Sequence, residues 1–173
     1  MHVKTAVIGL GSMGYGMAQS VLRAGHTTYG YDINARTAER FQAQGGAPDA
    51  LARIAGTLDT VVVAVLNAAQ TQDVLFGSDG VVPSLKPGAV VVSCATVAPE
   101  FARTMAAQCD ALGIHYLDAP ISGGAKKAAD GALSIMASGT SDAFAAAGTA
   151  LDAMATTVFR LGDSAGAGTD DHS

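Results

Sequence analysis

The sequence predicts an α/β fold built on a doubly wound, mostly parallel sheet with helices on both faces. Three observations predict it. Short apolar runs alternate with helix-like stretches along the whole chain. Two of those runs, "TVVVAVL" (60–66) and "AVVVSCA" (89–95), are continuously apolar, as strands covered on both faces must be. The first run leads straight into a glycine cluster that opens a helix.

The elements follow in order. "VKTAVIGL" (3–10) reads as a strand stopped by glycine, and "SMGYGMAQSVLRAGH" (12–26) as a helix terminated at Gly25. "TTYGYD" (27–32) is a second strand. "NARTAERFQAQGG" (34–46) is a helix with Asn34 as its N-cap and Gly45 as its stop. After the strand at 60–66, the turn "KPG" introduces the strand at 89–95. A helix over 98–113 and a strand over 114–120 come next. The pattern closes with a strand (132–139), a helix (141–154) and a strand (156–162). No internal repeat or linker interrupts it. One domain over 1–162 is expected, with residues 163–173 as a flexible tail whose last eight residues, "GAGTDDHS", are too small and polar to pack.

Composition narrows the function classes. At 173 residues and 49% hydrophobic, the chain can bury a substantial core and is not expected to be disordered. A net charge of −5 with scattered Lys and Arg gives no support for nucleic-acid binding. No apolar run reaches the ~18 residues of a membrane span, and the first residues form no signal peptide. Cys94 and Cys109 have no metal-ligand spacing and read as buried thiols of a reducing compartment, so a cytoplasmic protein without a metal site is expected. His26 is expected at the surface and His115 as a structural histidine.

The chemistry starts at "VIGLGSMG". Gly9, Gly11 and Gly14 form G-x-G-x-x-G between a strand and a helix. In the Rossmann-type reading, Gly9 allows the turn, Gly11 lets a pyrophosphate approach the backbone, and Gly14 lets the helix pack close. Leu10, Ser12 and Met13 then line the phosphates at the helix N-terminus. Asp32 follows Gly14 by 18 residues, at the end of the second strand. A carboxylate there accepts from the adenosine ribose hydroxyls and repels a 2′-phosphate, which favours NAD over NADP. Arg36 pulls the other way, because an Arg nearby can neutralise that phosphate. An ordinary turn followed by a solvated aspartate is the plainer alternative.

Four stretches together resemble the β-hydroxyacid dehydrogenases, the group that contains 3-hydroxyisobutyrate dehydrogenase and tartronate semialdehyde reductase. They are "GLGSMGYGMAQSVLRAGH", "SCATVAPE", "LDAPISGGAKKAADGALSIMASG" and "GDSAGAG". The resemblance implies that Leu66 and Asn67 sit near the cofactor ribose or nicotinamide, and that Thr96 meets the nicotinamide end. Thr96 could equally cap the helix that follows. It implies that Ser122, Gly123 and Gly124 bind the substrate carboxylate, which suits a hydroxyl beside consecutive backbone N–H groups. A plain loop is the alternative there. "LNAAQTQDVLFGSDG", "ATVAPEFA" and "GGAKKAADG" are similar to the L-threonate dehydrogenase branch, whose four-carbon hydroxy acids need polar partners. Lys127 could supply one, unless Lys126 and Lys127 are simply solvated.

The resemblance also implies a lysine for the proton step, in a motif G-x-G-x-x-x-K-x-x-N. Counted from Gly166, its position falls on His172. The similarity stops abruptly after Gly168, as a truncation or frameshift would leave it. The family's C-terminal helical domain is therefore expected to be absent, and the face near "TTVFRLG" to be exposed. The expected function is an NAD-binding domain of a dehydrogenase for a small hydroxy acid, inactive by itself. The alternatives are 3-hydroxyisobutyrate or tartronate semialdehyde chemistry, a compact active reductase, and a non-enzymatic dinucleotide-binding module. Oligomerisation is implied for full-length relatives.

Overall fold

A computed structural model describes residues 1–167. Five parallel strands come first: β1 (Lys4–Ile8), β2 (Thr27–Tyr31), β3 (Thr60–Val63), β4 (Val90–Ser93) and β5 (His115–Asp118). They are joined by β6 (Ile121–Ser122), β7 (Leu133–Ser138) and β8 (Ala155–Gly162). The order across the sheet is β2-β1-β3-β4-β5-β7-β6, with β8 also paired to β7. The helices are α1 (Gly14–Arg23), α2 (Ala35–Ala43), α3 (Leu51–Ile54), α4 (Ala68–Phe76), α5 (Pro99–Asp110), α6 (Gly124–Ala129) and α7 (Ser141–Met154).

The β3 and β4 strands are buried at every position, and their side chains alternate between two cores. Val62 and Val92 pack with Met17, Phe41, Ala147 and Met154 on the face covered by α1, α2 and α7. Val61, Val63 and Val91 pack with Leu75, Met105 and Cys109 on the face covered by α4 and α5. This two-sided burial is what the continuous apolar runs require.

Beyond β5 the sheet changes direction. β7 runs antiparallel to β5 and β6, pairing Asp118 with Ser138 and Ile121 with Ile135. β6 therefore continues the course of β5 after the Ala119–Pro120 step. β8 runs parallel to β7 on its other side and forms the sheet edge. Val158, Phe159 and Leu161 stand exposed along β8, as expected for "TTVFRLG".

Local signals held in several places. Asn34 caps α2 by accepting from the Arg36 N–H at 3.0 Å. Cys94 and Cys109 are free and buried. Two expectations need correction. His26 is not at the surface: only 8% of it is exposed, and its Nδ1 accepts from the Val3 N–H at 3.1 Å, stitching the chain start to the α1–β2 turn. The stretch from 163 onward is not loose through 167. Ala165 is 6% exposed in the α5-side core, and the Gly166 N–H donates to Ser138 Oγ at 3.1 Å. Its small residues suit it to a close turn against the Pro99 backbone. Helices α3, α4 and α6 are additions to the sequence reading. Among the described residues no helix is long and apolar enough to cross a membrane.

Two glycines make a contrasting test of this packing. A Cβ on Gly14 would lie 1.8 Å from the Gly9 carbonyl oxygen, whereas one on Gly148 meets nothing within 4 Å. Gly14→Ala should therefore cost ~1–3 kcal/mol or more through forced displacement, a fall of several degrees in Tm. Gly148→Ala, inside α7, should be neutral or stabilising by up to ~1 kcal/mol. Thermal unfolding of the two variants checks the sign of each change.

Candidate functional site

The parallel strands all end on one side of the sheet, and their exits are stitched to one another. Gly9 N donates to Tyr31 O at 2.8 Å, Ala64 N to Ile8 O at 2.8 Å, Cys94 N to Val63 O at 2.9 Å and Ala119 N to Ser93 O at 2.8 Å. From β1 the chain turns to β2 on one side and to β3 on the other, which makes the crevice outside β1 and β3 a switch point. The loops that carry the sequence-derived cofactor positions leave from this edge.

Gly9 to Gly14 form the loop between β1 and α1. Gly9 has φ +100°, and its carbonyl lies where only a glycine at 14 can pass. Gly11 and Ser12 are exposed, and a Cβ on Gly11 would project into open space, leaving the backbone approachable. Met13 is half-buried at the start of α1 and makes no side-chain cap there. Beside the loop lies a cleft of about 360 Å³ lined by Leu10, Gly11, Ser12, Tyr15, Thr37 and Arg40, among others. Its size suits a small-molecule site.

Asp32 is brought onto this loop. Its Oδ1 accepts from the Leu10 N–H at 2.8 Å, and its Oδ2 from the Asn34 N–H at 2.9 Å. The half-buried carboxylate thus fixes the glycine loop and the start of α2 together. Each oxygen keeps a further acceptor site, since an ionised carboxylate has about four. Ile33 projects fully into solvent beside it.

The positions after β3 and β4 reach the same edge. Leu66 is 85% exposed, and its N–H donates to Gln70 Oε1 at 2.8 Å. Asn67 caps α4, its Oδ1 accepting from the Gln70 N–H at 2.9 Å. Thr96 is exposed and does not cap α5, whose N-cap is Ala98. Its side chain is thus left facing outward from the β4 exit.

The Ser122–Gly124 loop runs from the end of β6 into the start of α6. All three residues are exposed, and the φ values of Gly123 and Gly124, +141° and +80°, turn the chain in a way a side chain would resist. The Lys127 side chain lies along Gly123, 3.1 Å from where a Cβ would sit. Lys126 instead pairs with Asp130 at 2.9 Å on the solvated side of α6. The α6 helix packs on α1, so this loop is carried beside the glycine loop. The expected lysine position, His172, lies outside the described residues.

One group escaped the sequence reading. Asp118, in "LDAP", is only 3% exposed, and its Oδ1 has no hydrogen-bond partner among the described residues. Burial raises its pKa to about 6, with hydrogen bonds from the Gly166 amide and Ser138 opposing the rise. Its acidic residue type in an apolar strand was the available signal. Among the described residues no group of His, Cys, Asp or Glu is arranged to hold a metal.

A family profile described as the NAD binding domain of 6-phosphogluconate dehydrogenase matches residues 4–162. The chain belongs to this family of NAD-binding domains. It is 43% identical over 169 residues to an L-threonate dehydrogenase of Cupriavidus necator, covering 97% of this chain and 57% of that protein. It is 46% identical over 166 residues to an L-threonate dehydrogenase of Pectobacterium atrosepticum, covering 94% and 54%. The crystal structure of a 3-hydroxyisobutyrate dehydrogenase from Salmonella typhimurium superposes with a TM-score of 0.92 at 43% identity, over 98% of this chain and 59% of that one. The chain spans about half the length of the curated relatives it matches. The family resemblance carried by the four sequence stretches and the Rossmann-type fold are both upheld.

Asp118 gives this site a pH signature. A carboxyl whose folded pKa is raised stabilises the fold while it stays neutral. That contribution is complete below its unfolded value near 3.8 and is lost as pH rises through about 6. Asp118→Asn cannot ionise, so its stability relative to wild type should improve between pH 4 and 7.5, by roughly 2–3 kcal/mol. Denaturant unfolding at both pH values measures the difference; a pH-independent gap contradicts it.

Proposed function

We propose that this chain is the NAD-binding part of an oxidoreductase that oxidises the hydroxyl of a small hydroxy acid, with L-threonate or a related four-carbon acid sugar as substrate. The observation that carries the reading is the Asp32 carboxylate fixed against the Leu10 amide in a glycine loop open at Gly11. That arrangement fits a dinucleotide: open backbone N–H groups and a helix N-terminus for the pyrophosphate, and a pre-oriented acceptor for ribose hydroxyls. The exposed Leu66, Asn67 and Thr96 line the course from ribose to nicotinamide. Bound NAD would supply the hydride acceptor, and the chain's own part is to orient it.

Ser122, Gly123 and Gly124 are read as the carboxylate seat, with the Ser122 hydroxyl and neighbouring backbone amides as donors and Lys127 as a polar partner alongside. The identity to L-threonate dehydrogenases supports the substrate class. The 173 residues by themselves are expected to bind without turnover. The reason is that His172 stands where the resemblance calls for a lysine. Tartronate semialdehyde or 3-hydroxyisobutyrate remains the nearest other substrate choice within the same chemistry.

NAD is preferred over NADP in this reading because a 2′-phosphate would meet the Asp32 carboxylate. Like-charge contact of this kind costs several kcal/mol, and each ~1.4 kcal/mol is tenfold in affinity. Calorimetry should show NAD bound at least tenfold more tightly than NADP, with the ratio narrowed in Asp32→Asn. Equal affinity for the two dinucleotides contradicts the assignment of Asp32, and no affinity for either contradicts the reading as a whole. L-threonate oxidation by the purified chain, lost in Ser122→Ala, would overturn the expected inactivity.

A further inference from the structure

The ends of three neighbouring strands carry a buried polar row. Ser93 of β4 is in register with Asp118 of β5, which in turn pairs with Ser138 of β7. Their exposures are 0%, 3% and 2%. Such a row is expensive to bury unless it is hydrogen-bonded, yet Ser93 Oγ and Asp118 Oδ1 lack a close partner among the described residues. Help comes from far along the chain: the Gly166 N–H reaches Ser138 Oγ at 3.1 Å, and both groups lie against the Asp118 carboxyl. Ala165 belongs to the α5-side core, and Gly166 lies tight on the Pro99 backbone at the start of α5. Asp118 is also the last residue of β5. Four residues later the same chain becomes the Ser122–Gly124 loop, held by the Met136 N–H to Pro120 O bond at 2.9 Å.

We propose that Asp118 is a positioning residue: through Ser138 it locks the 164–167 turn to the strand that launches the Ser122–Gly124 loop. The lock sets where the chain leaves β8 relative to the carboxylate seat. It rests on the reading of Ser122–Gly124 given above. The neutral carboxyl can share a proton with Ser138 while Ser138 accepts from Gly166. The ionised carboxyl leaves an unpaired oxygen in an apolar setting and favours opening of the turn toward water. The titratable groups facing it are Tyr116 of β5 and Cys94 beyond β4; burial raises the pKa of both and keeps them neutral, and neither group type can carry a positive charge. The Cys109 thiol of α5, which neighbours Tyr116, is likewise raised by burial.

Hydrogen exchange on the full chain tests the lock through two peptides, 160–167 and 119–125. Asp118→Ala and Ser138→Ala should raise exchange in both by tenfold or more. Asp118→Asn should restore protection. After correction for intrinsic rates, wild-type 160–167 should open at least fivefold more at pH 7 than at pH 5, and Asp118→Asn should show no such change. The milder Ser138→Ala decides the matter if Asp118→Ala does not fold. Unchanged exchange in 160–167, loosening confined to that peptide, or a pH response retained in Asp118→Asn overturns the proposal. Calorimetry of the wild type with NAD and L-threonate judges the functional reading separately, because the exchange results do not depend on ligand.

Discussion

The turn between β1 and α1 is the constraint on which the remaining site depends. Gly14 passes the Gly9 carbonyl at a separation that no side chain would permit. The same turn is held from outside by Asp32, whose two oxygens accept from Leu10 and Asn34 at 2.8 and 2.9 Å. The first contact brings the α1 N-terminus down onto the end of β1, so its free N–H groups face the switch point. The second makes the position of α2 conditional on the position of the loop. A carboxylate hydrogen-bonded to two backbone amides is a strong, directional restraint. It is also the group expected to read the ribose. On the proposed reading, structure and recognition are carried by the same atoms.

From that turn the architecture runs outward in two directions. Packing of α1 against α6 brings the Ser122–Gly124 loop alongside the cofactor loop, though more than 100 residues separate them in sequence. On the opposite face, the core under α5 receives Ala165 and the polar row of Ser93, Asp118 and Ser138. Buried polar groups of this kind restrict which arrangement of the core is allowed. Here they fix the path of the chain as it leaves β8.

Much of this was legible in the residues. The strands of the sheet's parallel half and helices α1, α2, α5 and α7 follow from apolar runs, Asn34 and terminal glycines. These are local signals, and the tertiary fold agrees with them. Helices α4 and α6 were not legible for physical reasons. In α4 only Thr71 and Leu75 are buried, too sparse a stripe to show periodicity. In α6 six residues between glycines bury only Ala128. The two-residue β6 exists because the chain must keep pairing with β7 after Pro120, which is a tertiary requirement. His26 read as a surface residue because its partner, the Val3 amide, is distant in sequence. Ala165 and Gly166 read as tail because small residues advertise no core, although close packing is what small residues permit. Among the site positions, the sequence pointed to Asp32 as a ribose acceptor but not to its bonds with the loop. Asp118 lies in the quoted "LDAP" stretch, but its burial between Ser93 and Ser138 comes from the pairing of β4, β5 and β7, which no local pattern shows.

Amide chemical shifts on the intact chain provide the most direct measurement of the central claim, that one edge of this sheet holds a dinucleotide beside a carboxylate seat. Titration with NAD should move the amides of Leu10 to Gly14 and those after Asp32, Leu66 and Ala95. Adding L-threonate to the NAD-loaded protein should then move Ser122, Gly123 and Gly124. Shifts confined to other surfaces, or L-threonate acting without any change at 122–124, would contradict the account.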